Sequence, residues 1–562
     1  MPLQAGREHD LLQEMRAPSH PHVYVFGCAG WKRVSVYAQQ VRAINLVYAL
    51  RQTGELHPDG RLLVIGAGAA GLTAAVTAAL LGARVVLLEE NDRPMHLQRG
   101  CHTRWLHPRV ADWPCTWTES PLARLPVLNW EAGTAEEVAR QIVSQLEHWC
   151  DDLTLQLHVN VKDIDFEKNR ATWSCCGQVS SKPFEFRQLI LALGFGVETP
   201  VPGLEMHASY WRLDPLEQSW LDGASRTREI AIAGNGDGAL IDILRASVES
   251  WRQEDLLEIA SLKCMERVRE VAERIEDRAA LQPEPARDRF LEEEYARYEL
   301  ALPSQVTKML RRRNTHVRWM ATAPYLPWRT FPINRLFIRH LLREGWLQKP
   351  TVGYLRGVAS LGTRKLALLG STLEGAIDLS PIEADWVIAR LGAQSPLVRF
   401  EKWFPGISKR YSEPDIQRLW PDDFPRRLQD EPASAPAPVL QAEFVLGPDG
   451  FPISARAGSG APIYLIRLSL RAVPLVAVSY VTYDLHPEHN RRERTVRIPP
   501  HFEHTIYSWG DYRIRVRLSD GSEIESRLSE ALRTGYYSPP SPEIASAVQS
   551  IAAHPLAVGR TQ

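Results

Sequence analysis

The sequence predicts an α/β chain with Rossmann-like dinucleotide-binding folds, followed by a separate all-β sandwich. Three observations carry this. RLLVIGAGAAGLTAAVTAALLGARVVLLEEND (61–92) reads as strand, glycine turn, helix, strand and terminal acid. EIAIAGNGDGALIDILRA (229–246) repeats the strand, glycine turn and helix. The Pro/Ala-rich stretch QDEPASAPAPV, within 429–441, then separates these segments from a region of short alternating strands.

In the first motif, Leu62 to Ile65 form an apolar run suited to a buried parallel strand. Gly66, Gly68 and Gly71 give G-x-G-x-x-G. The first glycine permits the tight turn, the second lets backbone approach a pyrophosphate, and the third lets helix pack on strand. Ala69 and Ala70 open the helix, whose N-terminal N–H groups face the phosphates. Glu89 ends the second strand, where a carboxylate accepts hydrogen bonds from a ribose diol. In the second motif Gly234, Gly236 and Gly238 form the turn, and Ala239 takes the place of the third glycine. LLEIAS, with Glu258, is the candidate for its acid-ended second strand.

Composition is that of an ordinary globular protein: 562 residues, 44% hydrophobic and 24% charged. A net charge of -1 argues against a broad basic face for nucleic acid. No apolar run approaches the length of a membrane span, and MPLQAGREHD has no signal-peptide pattern, so the expected location is cytoplasmic. The seven cysteines include no C-x-x-C pair, which excludes a dithiol centre of that spacing. No metal-ligand spacing stands out, and no metal is expected.

Before the first motif, HVYVFGCAG suggests a short strand and loop, and residues 34–56 have helical apolar spacing. That helix either packs on the nucleotide domain or places Tyr37, Gln39, Gln40 and Arg42 in the cleft. After it, the loop at 93–115 concentrates His, Arg, Trp and Pro, as binding loops do. Arg104, His107, Arg109 and Asp112 are its candidates for substrate contact or proton transfer, with Arg335 a further one. Residues 365–393 read as a strand, a glycine turn and a long helix returning to the first sheet.

GAGAAG…LLE, LILALGFG and a second glycine motif before a last βα unit resemble the flavoproteins with two dinucleotide-binding domains. The resemblance covers about residues 60–395. It implies FAD on the first fold, with Glu89 on the adenosine ribose, and NAD(P)H on an inserted second fold. It also places Gly194 beside the flavin and Gly370 at the closing segment, where Ser371 stands in place of that family's Asp. Electrons would pass to a small-molecule or protein redox partner. The implied domains are an N-terminal extension (1–60), the FAD domain (61–227 and 361–428), the insertion (228–360), a linker (429–441) and the sandwich (442–540).

In the sandwich, YDLHPEH, the PP of RIPPHF, and YSWGDYRIRVRL resemble prokaryotic YEATS domains, which are immunoglobulin-like. By motif, His486 and Trp509 hold two of the ligand-binding places, while His489 stands where that family has Phe. The resemblance implies an interaction or sensing module with a protein ligand, in a bacterial defence or signalling system. Together the two resemblances point to an FAD-dependent oxidoreductase reduced by NAD(P)H. The alternative is a non-catalytic sensor that relays dinucleotide state through the C-terminal domain.

Overall fold

The structure, a computed structural model, describes residues 5–556 apart from several stretches. The longer of these are 27–33, 116–119, 147–152, 205–209, 212–226 (Leu216 excepted), 249–258, 310–313, 371–378, 408–416, 425–438, 447–450, 457–461, 472–477, 487–492, 497–501 and 535–541. The chain forms two units, Met1–Pro425 and Arg426–Gln562.

In the first unit, five strands lie parallel in the order His20–Val25, Gln188–Leu191, Arg61–Ile65, Arg84–Leu88 and Leu153–Gln156. Arg16–Ala17 adds an antiparallel edge. These strands are apolar on both faces because helices cover one side and an antiparallel sheet and loops the other. Helices Val36–Gln52 and Ala69–Leu80 share one core with Val64, Leu87 and Ile190. Leu63, Val86 and Leu191 point into another, which holds Trp173, Leu397, Phe400 and Phe404.

The second fold has a four-stranded parallel sheet in the order Thr351–Val352, Thr315–Ala321, Arg228–Ala233 and Trp386–Ala389. Helices Asp237–Ser247, Glu266–Ala280, Ala286–Arg297 and Pro332–Arg343 supply its core. The antiparallel strands Tyr354–Leu361, Arg364–Gly370 and Leu379–Ala384 form a separate meander. Val197–Glu198 and Ala393–Gln394 pair where the chain crosses between the two folds.

Several expectations change here. The helix expected within 365–393 is replaced by strands, and Trp386–Ala389 belongs to the second sheet rather than the first. A short apolar run such as Trp386–Ala389 fits a buried strand as well as a helix, and its neighbour Arg228–Ala233 decides. The second fold therefore continues past 360, and the return to the first begins at Ala393. Ile259 and Ala260 of LLEIAS are helical and Ser261 lies in a turn, while Leu256, Leu257 and Glu258 lie outside the described residues. The parallel neighbour of Arg228–Ala233 on that side is instead Thr315–Ala321.

The C-terminal unit has two four-stranded antiparallel sheets that share a core of Leu440, Ile466, Leu468, Tyr483, Ile514 and Val516. Strand Arg513–Leu518 alternates exposed Arg with buried Ile, Val and Leu, the period of a half-buried strand. The unit extends beyond residue 540. Helix Pro542–Ala552 buries Ile544, Ala547, Val548 and Ile551 in the same core. A chain of residues 437–562 is expected to melt cooperatively with β-type circular dichroism. Stopping it at 540 forfeits roughly 1.5–3 kcal/mol per buried Ile or Val, and equal melting temperatures for the two chains would contradict this packing.

Candidate dinucleotide site

A cavity of about 1230 Å³ opens at the carboxyl ends of both parallel sheets, and both glycine turns line it. The turns are built alike. Gly66 has φ +104°, and a Cβ there would lie 2.3 Å from the Ala192 carbonyl oxygen. Gly234 has φ +130°, and a Cβ there would lie 2.3 Å from the Arg390 carbonyl oxygen. Each first glycine thus passes beneath the end of the next parallel strand, at a left-handed φ that favours glycine.

Each second glycine, Gly68 and Gly236, is the N-cap of its helix and lines the cavity. A Cβ at either would meet no protein atom within 4 Å. Gly71 packs helix on turn, since a Cβ there would lie 1.8 Å from the Gly66 carbonyl oxygen. Ala239 takes the equivalent place in the second turn, its Cβ beneath Gly234. Gly238 backs onto the Tyr210 ring. Ala69, Ala70 and Gly194 also line the cavity, and Gly194 has φ +72°.

Glu89 is buried at the cavity wall. Its Oε2 accepts from the Ala67 N–H (2.7 Å), and its Oε1 from the Asn91 N–H (2.9 Å) and Nδ2 (2.6 Å). The carboxylate therefore braces the glycine loop and keeps about one of its four acceptor sites open.

The loop candidates separate. His107 lines the cavity, with its Nδ1 accepting from the Arg109 N–H at 3.1 Å and its ring 5.3 Å from that of Trp105. Burial, aided by Arg109, pushes its pKa down to about 4, so at neutral pH it is an uncharged imidazole with the proton on Nε2. Asp112 is turned to Arg109 (3.5 Å) and does not line the cavity.

Arg104 is fully buried and does not line the cavity either, which corrects its candidacy for substrate contact. Its Nη1 and Nη2 donate to Asp242 at 2.6 and 3.3 Å, its Nε donates to the Tyr210 carbonyl, and its guanidinium stacks on the Tyr210 ring. Arg390 Nε donates to the other side of Asp242 at 2.8 Å. This cluster joins the first fold's loop to the second fold's helix.

Arg335 is also buried. It donates to the carbonyls of Pro327, Trp328 and Thr330 and pairs with Glu276, which holds a loop whose Arg329 and Thr330 reach the cavity. Gly370 lies away from the cavity, packed against Tyr354 in the meander, because its strand belongs there. Ser371, which stands in place of the family's Asp, is outside the described residues.

Sequence reasoning missed one strand end and one side chain. Arg390, Leu391 and Gly392 line the second turn as Ala192, Leu193 and Gly194 line the first. The signal was present in the likeness of VIARLG to LILALG, each an apolar strand ending in glycine. Asp237 also lines the cavity, with its carboxylate accepting from the Phe331 N–H and Asn334 Nδ2, both at 2.8 Å.

Residues 60–240 match the family described as "Pyridine nucleotide-disulphide oxidoreductase". The chain is an oxidoreductase that uses FAD and NAD(P)H. No curated protein sequence matches it. Similar solved structures include the bacillithiol disulfide reductase Bdr (YpdA) from Staphylococcus aureus, at 12% identity, 62% of this chain and 80% of that one, with a TM-score of 0.36. Lactococcus lactis thioredoxin reductase gives 13%, 64%, 94% and 0.35 on the same measures. An NAD-dependent persulfide reductase from A. fulgidus gives 11%, 87%, 82% and 0.33.

The residues of the oxidoreductase fit two dinucleotides. Gly68 and Gly236 leave open space where any side chain would intrude, each at a helix N-terminus suited to a pyrophosphate. None of the four described free cysteines, Cys101, Cys115, Cys175 and Cys264, lines the cavity. Among the described residues, no group of three His, Cys, Asp or Glu is placed to hold a metal, and no helix is long and apolar enough to cross a membrane.

In the C-terminal unit His486 is buried against Tyr512, with ring centroids 5.4 Å apart. Trp509 is half-buried, with the His554 ring on its edge. The Asp511 N–H donates to the His554 carbonyl, and the Leu556 N–H to the Asp511 carbonyl. The two expected ligand residues thus face the unit's own core and its own C-terminal segment.

Proposed function

We propose a cytoplasmic oxidoreductase in which the first glycine turn holds FAD, the second holds NAD(P)H, and reducing equivalents leave to a small-molecule or protein acceptor. The observation that carries this reading is the single cavity shared by two glycine turns of the same construction. FAD supplies the hydride chemistry and the protein supplies position. Gly66, Gly68, Ala69 and Ala70 cradle the FAD phosphates, Gly71 lets the helix pack against that turn, and Glu89 fixes the loop and meets the ribose. Gly234, Gly236 and Gly238 do the same for the nicotinamide dinucleotide. His107, uncharged, offers its Nε2–H as a hydrogen-bond donor to bound substrate or cofactor. The absence of C-x-x-C from the sequence directs the electrons past a dithiol of that spacing.

We assign the C-terminal unit, YEATS-like by sequence, to docking a protein partner in a defence or signalling system. Burial of His486 and coverage of Trp509 weigh against reading acylated lysine at those residues. NAD(P)H oxidation by the flavin-loaded chain, with and without an added quinone or ferricyanide, tests the enzymatic reading. No turnover with any acceptor and either nicotinamide would favour the dinucleotide sensor instead.

Asp237 gives this reading a pH signature. Burial raises its carboxyl to about 6, against the pull of the Phe331 N–H and Asn334, so it ionises beside the second turn as pH rises through 6. An added negative charge there opposes a pyrophosphate. The Kd for NAD(P)H is expected to rise several-fold between pH 5 and 7.5, and Asp237→Asn to flatten that rise. A pH-independent Kd in the parent chain would contradict the assignment.

A further inference from the structure

In a doubly wound sheet of order 3-2-1-4-5, ligands bind outside the carboxyl ends of the strands, at the switch point between places 1 and 4. Places 3, 2, 1 and 4 are held here by Leu153–Gln156, Arg84–Leu88, Arg61–Ile65 and Gln188–Leu191. Place 5 is held by His20–Val25, which precedes all of them in the chain. It runs parallel to Gln188–Leu191, with Val23 opposite Leu189 and Val25 opposite Leu191. The Phe26 N–H donates to the Leu191 carbonyl at 2.9 Å, so this strand ends level with the strand beside Gly66.

Ser35 then caps helix Val36–Gln52, its Oγ accepting from the Ala38 N–H at 3.1 Å. The helix packs beside Ala69–Leu80 in one core. Phe26, Ser35, Val36 and Gln39 line the cavity that Gly66 and Gly68 line. The far end of the unit comes back to the same place. Gln417 accepts from Arg7 at 2.8 Å, Asn45 bonds to Gln417 and Leu419, and Phe424 stacks edge-on against Tyr48. Adjacent ends of this kind are what allow a fold to be circularly permuted.

We propose that the first dinucleotide fold is circularly permuted. Its closing strand and helix, His20–Val25 and Val36–Gln52, stand at the N-terminus, and Phe26, Ser35, Val36 and Gln39 are binding residues for its FAD. The proposal rests on the reading of the first glycine turn as the FAD site.

Hydrogen exchange on the full-length chain, stripped of flavin and then reloaded with FAD, tests it. Exchange in peptides covering 66–71 and 34–40 is expected to slow about tenfold or more together on loading. Protection at 66–71 with none at 34–40 would overturn the permuted site while leaving the FAD reading intact. No protection at either, with no flavin retained, would remove the FAD reading and this proposal with it. As a second measurement, Val36→Trp in the full chain should weaken FAD binding about tenfold with unchanged far-ultraviolet circular dichroism. Unchanged affinity would count against the proposal.

Discussion

The Gly68→Val chain should purify folded but lacking FAD. A Cβ at position 68 meets no protein atom within 4 Å, so the substitution leaves the packing of the first sheet alone. The branched side chain enters the cavity at the helix N-terminus, where the pyrophosphate approaches backbone. Overpacking of this kind costs about 1–3 kcal/mol or more, which lowers FAD affinity about ten- to hundredfold or beyond. The same change at Gly71 should fail differently. A Cβ there lies 1.8 Å from the Gly66 carbonyl oxygen, so the fold itself is lost. Flavin content and far-ultraviolet circular dichroism, measured on both variants, separate the two outcomes. Full flavin in Gly68→Val would show that the first turn is not the site.

The largest expected loss of stability follows Asp242→Ala. Asp242 is fully buried between Arg104 and Arg390, with Arg245 at 3.3 Å, and it joins the two folds. Burial favours its neutral form, yet the arginines outweigh burial and hold its pKa at about 2. Removing it leaves buried guanidinium groups without that carboxylate, a change that costs about 3–5 kcal/mol. Urea unfolding of the full chain, followed by tryptophan fluorescence, would register this in its first-unit transition. A change below about 1 kcal/mol would mean that the cluster is not a clamp. The pH dependence has a definite sign. A carboxyl whose folded pKa is depressed stabilises the fold above its unfolded pKa, about 3.9. Asp242's contribution should therefore be constant above about pH 4 and disappear as pH falls through about 2.

Much of the nucleotide core was legible because its signals are local. Gly66, Gly68, Gly71 and Glu89 lie within one βαβ unit, where spacing alone defines the geometry. The second turn was legible for the same reason, but its parallel partner Thr315–Ala321 was not, since a helical insertion separates the two strands. Trp386–Ala389 reads as helix from sequence because a four-residue buried strand has no period to betray it. Position in the chain points Gly370 to the cofactor, and its sheet partners place it in the meander instead. Arg104 and Asp242 are 138 positions apart, and no pattern along the chain pairs them. The N-terminal strand and helix were legible as elements, but their place beside Gln188–Leu191 depends on a parallel pairing that sequence order conceals.

The most direct test of the whole account is an anaerobic titration of the purified, FAD-loaded chain with NADPH and with NADH, followed by visible absorption. About one flavin per chain is expected, with its oxidised band bleached by at least one of the two nicotinamides. A chain that takes up no FAD, or whose bound flavin stays oxidised with both, would contradict it.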